Sequence, residues 1–156
     1  MERHDERAYE LFLSGCNCAQ AVLLAFAPDA GLTEQQALRV ASSFGGGIGG
    51  MREVCGAVSG MLMAAGLLYG YAPGDRAGKS EHYARVRELS ERYRAENGSI
   101  ICRELLAGAA TAPGGEPEAR TEQYYRKRPC PELCRCAAEI LDRYLREIEA
   151  DVEKSE

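Results

Sequence analysis

Seven cysteines stand out in this 156-residue chain: Cys16, Cys18, Cys55, Cys102, Cys130, Cys134 and Cys136. A thiolate is both a nucleophile and a soft metal ligand, so such a set offers metal or iron–sulfur ligation, or thiol–disulfide exchange. A buried thiol can equally be an inert small hydrophobe. The count is odd, so complete pairing within the chain is impossible. The chain opens on the charged stretch MERHDERAYE, which has no signal-peptide pattern, so the expected location is cytoplasmic, where structural disulfides are rare. There is no CxxC, which excludes a thioredoxin motif and a zinc-ribbon knuckle, and no CxxCH, so covalent haem is not expected. The CxC pairs 16/18 and 134/136 are weaker signals.

The elements that hold these thiols read as helices, and the expected fold is all-α, a compact multi-helix bundle forming one domain over residues 1–156. Residues 5–13 form a short amphipathic helix. Asn17 caps the next, with Gln20 three residues on, and Pro28 stops it near Phe26. Thr33 and Gln36 cap a third, with Ala37, Val40 and Ala41 inward. The stretch SFGGGIGGMREVCGAVSGMLMAAGLLYGY (residues 43–71) is the expected centre: a glycine cluster, Cys55, then a buried Gly/Ala-rich helix from about residue 51 to 69. It carries no charge between Glu53 and Asp75, close to the roughly 20 residues a membrane span needs, but its glycines, Ser59 and Pro73 argue for a core helix instead. Gly56-x-x-x-Gly60 and Gly66-x-x-x-Gly70 suit close helix packing. Ser80 caps a charged helix to residue 97, with Tyr83, Val86, Leu89 and Tyr93 inward. Ser99 opens a short helix over 100–106, residues 107–119 read as an exposed loop, and a polar stretch from 120 leads to a final helix, with Pro131 in its first turn, running to about residue 152. Leu133, Ala137, Ile140, Leu141, Tyr144 and Ile148 form its inner face.

Four cysteines share a position in this scheme. Cys18, Cys55, Cys102 and Cys130 all fall at helix starts, where unpaired N–H groups and the dipole stabilise a thiolate. The run Arg126, Lys127, Arg128 pushes Cys130 the same way. Converging, the four would make a four-sulfur site for an iron–sulfur cluster or zinc; as two pairs they could cycle through disulfides. Cys134 shares a helix face with Cys130, and Cys136 points elsewhere. The glycine cluster lacks GxxxxGK[ST] and a preceding strand, so it is no phosphate loop. His4 and His82 lie on charged helices and read as solvated. No Ser/His/Asp set or carboxylate pair emerges, and the net charge of −5 argues against a nucleic-acid partner.

The segments CNCAQAVLLAF, GGGIGGMREVCGAVSGMLMAAGL, CRELL and CPEL, followed by AAEIL, resemble the C_GCAxxG_C_C family over about residues 11–145. The resemblance assigns the family's four cysteines to Cys18, Cys55, Cys102 and Cys130, and leaves Cys16, Cys134 and Cys136 outside the pattern. It implies a redox role in a bacterium or archaeon, and a related module in a split-Soret multihaem cytochrome implies electron transfer to a redox partner protein. The leading expectation is a four-cysteine site binding an iron–sulfur cluster or another metal. The alternatives are a thiol–disulfide oxidoreductase and a non-catalytic helical binding module with inert cysteines, so whether the chain is an enzyme stays open. No membrane association is expected, and the glycine-rich apolar helix is compatible with a homodimer.

Overall fold

The computed structural model describes residues 3–107, 114 and 116–155. Among these the chain is all-α: α1 (His4–Leu13), α2 (Cys18–Ala30), α3 (Glu34–Ala41), a 3-10 turn (Ser42–Phe44), α4 (Gly56–Tyr69), α5 (Arg76–Asn97), α6 (Cys102–Leu105), α7 (Glu122–Lys127) and α8 (Cys130–Ser155). Helix α2 packs on α1, α3, α4 and α8, and α8 packs in turn on α1, α4 and α5. No helix of the described residues is long and apolar enough to cross a membrane.

The core lies where α2 meets α4. Nearly all of α2 is buried, Ala19 and residues 21–27 included, so it shares the centre with α4. Small side chains on both helices let the backbones approach. A Cβ on Gly60 would lie 2.7 Å from the Ala19 carbonyl oxygen, and one on Gly56 3.0 Å from the Ala19 nitrogen and from the Cys18 Cβ. Each glycine costs α4 about 1 kcal/mol of intrinsic helicity relative to alanine, which this close contact offsets. Gly60→Ala is therefore expected to destabilise the protein by about 1–3 kcal/mol, through overpacking against backbone that cannot rotate away. A lower urea midpoint at unchanged slope checks this; an unchanged midpoint contradicts it. The pair Gly66 and Gly70 does not serve the same end. A Cβ on Gly66 would lie 3.9 Å from its nearest neighbour, His82, in ordinary contact, and one on Gly70 would meet only the backbone of Gly66 in its own helix.

Several boundaries differ from the sequence reading, each for a local reason. Helix α2 passes Pro28 and ends at Gly31, in the left-handed region at φ 76°, because a proline in the last turn removes only one helical hydrogen bond. Helix α4 starts at Gly56 rather than near residue 51, since Arg52 has φ 61° and Val54 pairs with Ile101 in an isolated antiparallel bridge. That bridge also shortens α6 to Cys102–Leu105; Ser99 accepts the Ile101 N–H instead of capping a helix. Asp75, not Ser80, caps α5 by accepting the Gly78 N–H at 2.8 Å. Helix α7, capped by Thr121, forms where only a polar stretch was expected. The expected loop 107–119 lies mostly outside the described residues.

Two inward assignments and both histidine assignments also change. Val40 is 53% exposed and Tyr83 47% exposed, whereas Leu89 and Tyr93 are fully buried. His82 is buried and accepts a hydrogen bond at Nδ1 from Arg85 at 3.0 Å, and burial followed by the Arg85 charge holds its pKa below the usual value. His4 is largely enclosed, stacked on Phe26 and flanked by two aspartates. Charge on the flanking sequence concealed both, because one buried residue per turn is enough to seat a helix.

Candidate functional site

Each of the four helix-start cysteines is placed by its own local device. Cys18 is the first residue of α2, directly after Asn17, whose side chain accepts the Gln20 N–H while Gln20 accepts the Asn17 N–H. Asn17 also donates to the Ser42 carbonyl at 3.3 Å, tying this start to the segment that leads into the glycine turn. Cys55 is the N-cap of α4 and Cys102 the first residue of α6. These two starts are stitched together: the Cys55 N–H donates to the Ile100 carbonyl at 2.8 Å, and the Cys102 N–H to the Glu53 carbonyl at 2.6 Å. Cys130 opens α8 beside Pro131.

All four line one cavity of about 420 Å³, together with the glycine turn, Arg52, Arg120, Tyr124 and Arg128. The turn follows a left-handed path: Gly46, Gly47, Ile48, Gly49 and Gly50 have φ between 54° and 79°, a region that disfavours residues bearing a Cβ. At Gly47 there is a second requirement, since a Cβ there would come within 2.7 Å of the Cys102 Cβ. The turn thus packs against Cys102 only because that residue is glycine.

Three of the thiols lie close together: Cys18 neighbours both Cys130 and Cys134, and the Cys134 thiol donates to the Cys18 carbonyl at 3.8 Å. Cys55 contacts the hydroxyl of the fully buried Tyr93 at 3.4 Å. Cys102 takes a long contact, 3.8 Å, from an Arg52 Nη. Among the described residues no group of three or more His, Cys, Asp or Glu is already drawn close enough to hold a metal ion.

The expectation of low-pKa thiols is overturned. For Cys18, the bond from Cys130 favours the thiolate, but the bond to Cys134, burial and neighbouring sulfurs outweigh it, and its pKa is raised well above the ordinary value. Burial pushes Cys55 to about 11 against the opposing contact from Tyr93, and burial also raises Cys102 and Cys134. The bond to Cys18, then burial, raises Cys130, and the nearby Arg128 only partly opposes this. Desolvation of a charge in a low-dielectric interior exceeds what a helix dipole returns. Without a metal these thiols are protonated at neutral pH.

Cys18, Cys55, Cys102 and Cys130 are thus brought to one cavity, while Cys16 and Cys136 are held apart. Cys136 faces Glu96 and Asn97 instead, and burial with the Glu96 contact lifts it to about 12. Cys134, which the family pattern leaves out, belongs to the cluster; its position one turn after Cys130 was the available signal. Tyr93 read as packing alone, although a buried tyrosine hydroxyl calls for a partner. Arg52 and Arg120 were not singled out, Arg128 was read only as part of the cationic run before Cys130, and nothing in their spacing brings the three together.

These features define a class: an all-α protein whose helix starts deliver cysteines to a single cavity. The family model described as "Putative redox-active protein (C_GCAxxG_C_C)" matches residues 16–144, and the chain belongs to that family. No curated protein and no solved structure matches the chain.

Proposed function

We propose that Cys18, Cys55, Cys102 and Cys130 ligate an iron–sulfur cluster used for one-electron transfer, in the cytoplasm of a prokaryote and in exchange with a redox partner protein. The observation that carries this reading is the cavity of about 420 Å³ onto which all four thiols and three arginines face. The donor set fits: soft thiolates are what such clusters take, and a cluster with four thiolates is anionic, which a cationic wall offsets. The raised thiol pKa values do not oppose it, because metal binding displaces the thiol protons and draws ligands together. When bound, the cluster supplies reversible one-electron chemistry. The chain's own residues hold the sulfurs at helix starts, exclude water with Tyr93 and Tyr124, and set the charge around the site with Arg52 and Arg128.

The test is elemental: protein purified anaerobically is expected to carry iron and acid-labile sulfide with broad visible absorption. Colourless protein with zinc alone redirects the site to a structural metal, and protein with no iron, zinc or absorption excludes the metal reading. A second reading, a cycling dithiol, draws on the contact between the Cys18 and Cys130 thiols. It requires the loss of one pair of free thiols on mild oxidation.

A further inference from the structure

The wall of the cysteine cavity bears an unusual charge for this chain. The protein carries a net charge of −5, yet Arg52, Arg120 and Arg128 face the cavity against the single carboxylate of Glu118. Two of these guanidiniums hold unused donors: the Nε atoms of Arg52 and Arg128 are buried and, among the described residues, have no hydrogen-bond partner. A buried N–H on a cation without an acceptor is costly and calls for one beyond those the described residues supply.

The surroundings keep these donors available. Arg128 is only 8% exposed and lies over the Tyr124 ring, with its Cζ 4.5 Å from the centroid. A guanidinium that stacks by its face leaves its in-plane N–H groups for an acceptor. One of them goes to Glu118 at 2.9 Å, and Nε is left over. Arg52 is the second of two non-glycine residues with positive φ among the described residues, at 61°. That conformation costs on the order of 1–3 kcal/mol and is characteristic of functional positions. It is held by bonds from the Arg52 N–H to the Gly46 carbonyl and from the Arg103 N–H to the Arg52 carbonyl. Arg120 closes the set, with its own N–H groups engaged by the carbonyls of Phe12 and Cys16, so it contributes charge rather than free donors.

We propose that Arg52 and Arg128 form a binding site for a small tetrahedral oxyanion, of the sulfate or phosphate type, beside the sulfurs. Donors arriving from two separate segments, with Arg120 adding charge from a third, suit a tetrahedral group better than a flat carboxylate, which a single guanidinium fork satisfies. The low-dielectric protein around the buried Nε atoms strengthens each contact relative to open water. The anion's donors come from the arginines, which also face the sulfurs, with Arg52 Nη 3.8 Å from the Cys102 sulfur, and the sulfurs themselves are not needed to hold it.

The experiment is a calorimetric titration of the full-length protein, as purified anaerobically, with sulfate. Chloride at matched ionic strength is the reference, and metal content is measured on each sample. The expected result is one saturable sulfate site, weakened at least about tenfold in Arg128→Gln and in Arg52→Gln, and retained in Cys18→Ser. Should Arg128→Gln fail to fold, Arg52→Gln decides. Sulfate binding no tighter than chloride overturns the proposal, as does unchanged sulfate affinity in the arginine variants. Loss of sulfate binding in Cys18→Ser overturns it as well, since the anion would then depend on the sulfur centre. Absence of iron with sulfate binding intact counts only against the cluster.

Discussion

Replacing Cys18 by serine is expected to abolish metal loading, to below about a tenth of the wild-type content, while replacing Cys16 leaves it intact. Cys18 is the sulfur in contact with two other thiols, and burial keeps its neighbours from reaching water for compensation. Cys55→Ser and Cys130→Ser are expected to behave like Cys18→Ser. The informative comparison is Cys102 against Cys134. The family pattern places its third cysteine at Cys102 and omits Cys134, yet Cys134 is fully buried and its thiol reaches the Cys18 carbonyl at 3.8 Å, whereas Cys102 is met by an Arg52 Nη at 3.8 Å. Loading is expected to survive Cys134→Ala and to be lost in Cys102→Ser, because Cys102 faces the cavity and is held there by the bridge to Glu53. Iron analysis of the variants checks this. The opposite pattern would move the site to Cys18, Cys55, Cys130 and Cys134.

The second large effect concerns stability and pH. His4 Nδ1 lies 2.7 Å from Asp142 and Nε2 2.5 Å from Asp29, and its ring stacks on Phe26 at 4.2 Å, so one side chain ties α1 to α2 and α8. The Asp142 bond first, then that to Asp29, outweigh burial and raise its pKa from 6.5 to about 9. The folded state thus keeps a proton that the unfolded chain releases above its ordinary value. This stabilisation is fully present below pH 6.5 and is lost as pH rises towards 9. The loss is on the order of 2 kcal/mol, after allowance for screening at the exposed Asp29. Urea unfolding of the metal-free, reduced protein between pH 6 and 9 measures it. The wild type is expected to lose stability across that window and His4→Gln to show a flatter profile; equal slopes contradict the assignment. Buried thiols extend the decline to higher pH with the same sign, Cys55 with its pKa near 11 among them.

Much of the scaffold was legible because it is written locally. The capping pairs Asn17 with Gln20 and Thr33 with Gln36 need only neighbours three residues apart, and both form as read. Cys18 after the Asn17 cap and Cys130 before Pro131 were legible for the same reason, whereas Cys55 and Cys102 stand at helix starts that moved from the expected ones near residue 51 and at Ser99. What tertiary packing decides was not. A helix start alone argues for a thiolate, but whether the thiol is also desolvated depends on helices that arrive from elsewhere, and here desolvation wins. Arg52 could not be read because its backbone is turned left-handed by the glycine segment before it, which also removed the first turn expected of α4. His4 looked solvated until α2 and α8 supplied Asp29 and Asp142 from positions 25 and 138 residues away.

The most direct test of convergence is an anaerobic titration of the reduced, metal-free protein with cobalt(II), read by absorption. Four sulfurs able to close on one centre bind one cobalt per chain, with intense thiolate-to-metal charge transfer and the visible bands of a tetrahedral site, both lost in Cys18→Ser. A spectrum that stays that of aqueous cobalt at excess metal, or a saturated site without thiolate charge transfer, contradicts the account.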